Sequence, residues 1–336
     1  MILKIYFLIC LNIIDSLQSS TYFNNYTSFE GAEIKILLIG TRGQLGKEFI
    51  TLLKNRGFFF LSIDENPNCW LIDLEAGDCS IAHLNLDISD FIELQRILDD
   101  FEPDFVISCA AATNVDILEK NPITAIRGNV IGTLNINRVC EERGIKQIYF
   151  STEAAYDGTK SFKYLETDAE NPQSKYALTK VIADHIVLNS ATQAWIFRTS
   201  WLYSLNSTSS FVTRILEKSK SSHTNIGVTD DLFGNPTPAW WLASTVINLL
   251  KDIENLPTGL YHLCSSIAVS KYDWAKRIIT DLNPEKVSLI VPTKRNDFPN
   301  AHLRSPYVDL STDKIQKFLG KSLIPTWEDL WKESIK

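Results

Sequence analysis

The sequence is poor in most features that narrow a protein's class quickly. Its one methionine is Met1, and its six cysteines (Cys10, Cys69, Cys79, Cys109, Cys140 and Cys264) are scattered, with no CxxC pair and no nearby histidine cluster. Such spacing supplies neither a zinc site nor a disulfide framework and fits reduced thiols in a cytosolic protein. Basic charge is short as well: 33 Lys and Arg stand against 40 Asp and Glu, a formal net charge of -7. The chain therefore carries no cationic footprint for nucleic acid, and a small-molecule partner fits better. No apolar run approaches the roughly 20 residues of a membrane-spanning helix. Residues 5–11, behind Lys4, imitate a signal peptide, but Asn12 and Asp15 end the run and no Ala-x-Ala site follows. Residues 1–33 are read as an extension on a cytoplasmic protein, with a targeting segment as the alternative. Internal repeats and low-complexity stretches are absent too.

What is present is ordinary globular chemistry, 45% hydrophobic and 22% charged over 336 residues, set in a strand–helix rhythm. Lys35–Ile39 is a short apolar run suited to a strand buried on both faces. Further strands are expected at 58–63, 105–108, 147–151 and 195–198, and helices at 44–54, 91–101, 125–143 and 175–188. This alternation predicts an α/β fold, a Rossmann-type doubly wound parallel sheet over residues 34–200. After Arg198 the rhythm loosens, with helices expected at 211–220, 240–251 and 271–282 between Pro, Gly and Asn-rich turns. Residues 201–336 are read mainly as a smaller substrate-binding lobe, interleaved with the first and folded over the carboxyl ends of the strands. Residues 65–83 have no assignable pattern.

Gly40-Thr41-Arg42-Gly43-Gln44-Leu45-Gly46 follows the first strand at once and opens the first helix. Glycines there permit a tight turn, close approach of backbone to a pyrophosphate and close helix–strand packing, with the helix N-terminus facing the phosphates. The GxxGxxG spacing departs from the GxGxxG fingerprint, yet its strand–turn–helix context marks a dinucleotide site. Asp64 stands 18 residues beyond Gly46, about where an acid meets the adenosine ribose of NAD; a strand-end turn acid is the plain alternative. Arg42 could instead meet the 2′-phosphate of NADP, so both cofactors stay open. Asp87, with Ile88 beside it, either contacts the adenine end or caps a helix beginning near Ser89.

Tyr176-Ala177-Leu178-Thr179-Lys180 puts a phenol and an ammonium four residues apart, on one face of a helix. A nearby lysine charge favours the phenolate of a tyrosine whose free pKa is near ~10, which is acid–base equipment. Three further segments follow in order: Ser108-Cys109-Ala110-Ala111-Ala112-Thr113-Asn114-Val115-Asp116, Phe150-Ser151-Thr152-Glu153 and Phe197-Arg198-Thr199-Ser200-Trp201. Together the motifs resemble extended short-chain dehydrogenases/reductases and, within them, the dTDP-4-dehydrorhamnose reductases, from about residue 35 to 336. The resemblance implies NADP- or NAD-dependent reduction of a 4-keto nucleotide sugar, most closely dTDP-4-dehydro-L-rhamnose, for polysaccharide synthesis. It places Thr152, Tyr176 and Lys180 at the catalytic positions. It also puts Cys109, Ala110, Ala111 and Asn129 beside the cofactor, and Trp201 and Arg304 with Thr152 beside the substrate. A homodimer is implied as well, and magnesium at a subunit contact in some relatives, though no carboxylate cluster stands out to hold it.

The departures from the pattern are local. Where the family reads Ser-Thr-Asp-Tyr-Val-Phe, this chain has Ser151-Thr152-Glu153-Ala154-Ala155-Tyr156; the usual Asn before the tyrosine is Ser174, and Ala177, Leu232 and Trp241 also differ. These changes bear on substrate fit more than on chemistry. Each assignment has a plain competitor: Trp201 as core, Asn129 bridging backbone within its own helix, Arg304 as a solvated cation. Two other functions remain open. One is a nucleotide-sugar epimerase or dehydratase, for which Glu153 is an extra acid–base group; the other is a non-catalytic nucleotide-binding regulatory subunit.

Overall fold

A computed structural model describes residues 34–55, 59–64, 81–319 and 324–336. The extension 1–33, Cys10, Cys69, Cys79 and residues 65–80 lie outside the described residues.

Strand β1 (Lys35–Ile39) shows why its run is apolar throughout. Ile36 and Leu38 point to one core, shared with Phe49 and Leu53 of helix α1 (Gln44–Asn55). Leu37 and Ile39 point to a second core, with Leu94 and Leu98 of a later helix. A strand with helices on both faces has no solvated side to mark with polar residues. Next come β2 (Phe59–Asp64), β3 (Ile81–Asn85), α2 (Phe91–Phe101) and β4 (Phe105–Ser108). Helix α3 (Val115–Lys120), α4 (Gly132–Arg143), β5 (Lys146–Thr152), α5 (Lys175–Leu188) and β6 (Ala194–Thr199) follow.

The expected helix over 125–143 is interrupted. A four-residue α-helical turn, Pro122–Ala125, runs into a π-helical segment, Ile126–Ile131, before α4 begins. The widened turns bring Asn129 fully inside. Such π segments often occur at functional sites.

Beyond β6 lie α6 (Phe211–Ser221), β7 (Ile226–Thr229), α7 (Ala239–Leu249), β8 (Gly259–His262), α8 (Lys271–Leu282), β9 (Ile290–Thr293) and α9 (Trp327–Ser334). The main sheet has seven strands in the order β8-β6-β5-β4-β1-β2-β3, all paired in parallel. The strand order reverses between β1 and β4, so the ligand crevice lies above their carboxyl ends. The later part of the chain also enters this unit: β8 forms the sheet edge beside β6, and Leu242 and Val246 of α7 share the core of α1. Strand β8 is four residues long and opens on Gly259 at φ 135, too short for a sequence pattern to declare it.

A third cluster joins α6, α8 and α9 to the parallel pair β7–β9. Its centre is Trp274, edge-on to Trp331 at 4.9 Å and to Trp327 at 5.5 Å. Among the described residues no helix is long and apolar enough to cross a membrane.

Candidate active site

The glycine loop is closed by sterics. Gly40 has φ 83 and donates its N–H to Ile63 O at 2.8 Å. A Cβ on Gly40 would lie 2.4 Å from Ala110 N, and one on Gly46 2.2 Å from Gly40 O. These two glycines bring β1, α1 and the β4 loop into contact. Gly43 is different: its Cβ would meet only Gly40 O at 3.5 Å, and the residue is exposed. Its lack of a side chain serves approach from outside. Arg42 is exposed beside it, Leu45 is core, and Gln44 Oε1 is buried with no partner among the described residues. An open Gly43 and a helix N-terminus together fit a pyrophosphate-bearing cofactor. Gly46→Ala should therefore destabilise the fold by about 1–3 kcal/mol through overpacking. Gly43→Ala should leave the unfolding midpoint in place and weaken dinucleotide binding about tenfold or more, some 1.4 kcal/mol. Urea unfolding and a fluorescence titration with NADPH separate the two effects.

The other cofactor candidates divide. Half-buried Cys109 and Ala110 and exposed Ala111 follow β4 at the crevice, and burial pushes the Cys109 thiol up. Asp64 ends β2 opposite Asn85; its side chain lies outside the described residues. Asp87 does not cap a helix. The helix starts at Phe91 with Asp90 as its cap, because Asp90 accepts from Glu93 N. Asp87 instead accepts from Ser89 N at 2.8 Å and pairs with Arg127; the Ser89 bonds and Arg127 overcome burial to hold its carboxyl below the usual value. Ile88 is a core residue, packed where a side chain on Gly132 would stand.

Thr152 ends β5 and Tyr176 lies in the first turn of α5. Ser174 Oγ accepts from Ala177 N at 3.2 Å and caps α5. That explains one departure from the family pattern, since serine and asparagine both cap well. Burial, then the Glu153 carboxylate, raises the Tyr176 phenol, while a hydrogen bond with Thr152 opposes both. Lys180 is buried; its Nζ donates to Phe150 O at 2.7 Å and to the Tyr149 hydroxyl. Burial lowers its pKa to about 8, with Asp184 opposing. Lys180 is thus committed to β5 in this arrangement, and the expected depression of the Tyr176 pKa by its charge is not what the site shows. Tyr149 is a partner that nothing in the sequence marked.

Asn129 does more than bridge its own helix. It accepts from Ala112 N at 2.8 Å and donates to Ala112 O at 3.1 Å and to Thr179 Oγ1 at 3.0 Å. It therefore ties the loop after β4 to the helix bearing Tyr176 and Lys180. Beneath that helix, Asp184 accepts from Ser151 Oγ at 2.8 Å and from Arg198 at 2.5 Å, and Arg198 reaches Glu170 at 2.6 Å.

On the other side of Thr152 lies a second charged group. Thr152 Oγ1 donates to Glu153 Oε2 at 3.0 Å and accepts from Ala154 N at 3.2 Å. Burial raises the Glu153 carboxyl, and Lys271 opposes that through space. The Lys271 ammonium sits 4.6 Å from the Trp201 ring centre and 4.5 Å from that of Phe211. Trp201 is half-buried at φ 37, and its ring lies 2.4 Å from where a Gly234 Cβ would be. Arg304 is no lone solvated cation: Asp116 accepts from its Nη2 at 2.8 Å and from Asn300 Nδ2 at 3.1 Å. Tyr156 does not replace the tyrosine missing at Ala154, because it is buried, stacked on Tyr164 at 4.4 Å and hydrogen-bonded to His262 at 2.8 Å. Among the described residues no group of three His, Cys, Asp or Glu could hold a metal ion.

Comparison with known proteins gives the family and the fold. A dTDP-4-dehydrorhamnose reductase of Aggregatibacter actinomycetemcomitans is 29% identical over 294 residues, which are 85% of this chain and 93% of that one. The crystal structure of a dTDP-4-dehydrorhamnose reductase from Clostridium acetobutylicum superposes with a TM-score of 0.78 at 27% identity, covering 90% of this chain and 98% of that one. A Bacillus anthracis dTDP-4-dehydrorhamnose reductase in complex with NADP has a TM-score of 0.76 at 24% identity over 90% of this chain and 99% of that one, a likeness of fold. The family model described as RmlD substrate binding domain matches residues 34–336; from the glycine cradle to the C-terminus, this chain belongs to that family.

Proposed function

We propose that the protein is an NAD(P)H-dependent reductase of a 4-keto nucleotide sugar, with dTDP-4-dehydro-L-rhamnose the substrate its relatives' names favour. The observation that carries the reading is the meeting of the Thr152 hydroxyl, at the carboxyl end of β5, with the Tyr176 phenol, one turn of α5 before buried Lys180. Gly40, Gly43, Gln44 and Gly46, with the backbone of Cys109 and Ala110, hold the dinucleotide. Bound there, its nicotinamide supplies a hydride. Tyr176 remains protonated at neutral pH, since burial and Glu153 raise it, so it can give its proton to the ketone oxygen as negative charge develops. Thr152 donates a hydrogen bond to the same oxygen. Lys180, with two of its three N–H groups given to Tyr149 and Phe150, would hold the nicotinamide ribose with the third, and Trp201 and Arg304 line the sugar-nucleotide side.

The full-length chain, given dTDP-4-dehydro-L-rhamnose with NADPH or NADH, should oxidise one cofactor per sugar. Cofactor regenerated without net oxidation would mean an epimerase or dehydratase. Dinucleotide binding without turnover of any 4-keto sugar, together with a stable complex with another enzyme, would favour the regulatory reading.

The exposed apolar residues Ile123, Ile126, Leu134, Leu178 and Ile182 lie on neighbouring packed segments, the Pro122–Ala125 turn, the π-helical run, α4 and α5. Exposed apolar residues gathered on neighbouring segments mark an interface, and we assign it to a homodimer. Sedimentation should show a dimer for the native chain and a monomer for Leu178→Glu/Ile182→Glu; a native monomer would refute the assignment.

A further inference from the structure

The Thr152 hydroxyl has one proton, and it goes to Glu153 Oε2 at 3.0 Å. Its oxygen meanwhile accepts from Ala154 N. A hydroxyl so engaged has nothing left to donate to a substrate oxygen. The reductase reading, on which this inference rests, requires that proton for the ketone. Something must draw Glu153 away, and among the described residues Lys271 is the cation that acts on its carboxylate. Lys271 is the first residue of α8, after its cap Ser270. Its ammonium rests against Trp201 and Phe211, and it acts on Glu153 through space; Arg214 and Arg304 are the other cations that bear on it. Among the described residues Lys271 makes no direct ion pair with Glu153. A sugar ring entering against Trp201 would take the aromatic face on which the ammonium rests, and the nearest compensation for that lost cation–π contact is the Glu153 carboxylate.

We infer that Lys271 is a positioning residue for the reduction: displaced from Trp201 by the incoming sugar, it pairs with Glu153 and so frees the Thr152 hydroxyl to donate to the ketone oxygen. No bond is made or broken by this rearrangement; one hydrogen bond changes acceptor. It couples substrate occupancy in the C-terminal part to donor availability at the end of β5.

Steady-state kinetics of the full-length chain test it. Lys271→Met should lower kcat about ten- to a hundredfold, toward the loss seen when one oxyanion donor is removed, with little change in KM for the nucleotide sugar. Adding Glu153→Leu should restore most of the lost kcat, because no carboxylate then holds the Thr152 proton. A residue that only packs α8 or only binds substrate would not be rescued in this way. A double variant as slow as Lys271→Met, or a Lys271→Met variant with unchanged kcat, overturns the inference. The pair is also read without turnover. In ligand-free protein with nitrogen-15 at lysine Nζ, the signal lost in Lys271→Met should titrate near about 8 and move down in Glu153→Leu, since the carboxylate supports the cation. An unmoved titration overturns the pairing even if the keto sugar proves not to be a substrate, whereas absent turnover with a moved titration sinks the reductase reading alone.

Discussion

Tyr176→Phe should lower kcat for keto-sugar reduction by about 10²- to 10⁴-fold, the range a positioned general acid contributes. The substitution removes one oxygen from a half-buried ring at the start of α5. It leaves the Ser174 cap, the glycine cradle and the Lys180 contacts with Tyr149 and Phe150 untouched. NADPH affinity and the thermal midpoint should therefore stay near the native values while turnover collapses. Stopped-flow and steady-state oxidation of NADPH, beside a binding titration, distinguish a lost proton donor from a damaged site. Retention of more than about a tenth of native kcat would remove Tyr176 from the acid role and turn attention to Glu153, whose carboxyl burial also raises.

Arg198→Met should destabilise the fold by about 3–5 kcal/mol, the cost of leaving a buried charge without its partner. The side chains of Arg198 and Asp184 are 0% exposed, and their contact is 2.5 Å. Without the guanidinium, Asp184 keeps the Ser151 hydroxyl as its one hydrogen-bond donor among the described residues, and Glu170 loses its 2.6 Å contact. Burial already raises the Asp184 carboxyl, so the variant would force protonation or local opening beneath α5, one turn beyond Lys180. Replacing both partners, Arg198→Met with Asp184→Leu, should recover much of the loss, because an apolar pair does not need solvating. Urea unfolding of the single and double variants checks this cycle. A single variant within about 1 kcal/mol of native would show that the pair is not an essential neutralisation.

Both predictions turn on contacts that the chain reveals unequally. The apolar run of β1, the glycine loop and the helix with Tyr176 and Lys180 could be read directly, because period, turn chemistry and i,i+4 spacing are local properties. Helices α2, α5 and α8 span the residues their apolar pattern predicts, although the cap of α2 is Asp90 and not Asp87. The π-helical turns were not legible: they depend on Asn129 finding Ala112 and Thr179, partners 17 and 50 residues away. The same holds for Lys180 on Tyr149, 31 residues apart, and for β8 at the sheet edge.

The sequence by itself determined the class of fold, the strand–glycine-loop–helix unit and the shared helix face of Tyr176 and Lys180, since each is written within a few consecutive residues. Tertiary structure alone decided what those residues face. It set Lys180 against β5, lifted the Tyr176 pKa instead of lowering it, and brought Lys271 within electrostatic reach of Glu153. The reason is that hydrogen bonds and charge interactions act over a few ångströms in space, and packing, not chain spacing, chooses which groups come that close.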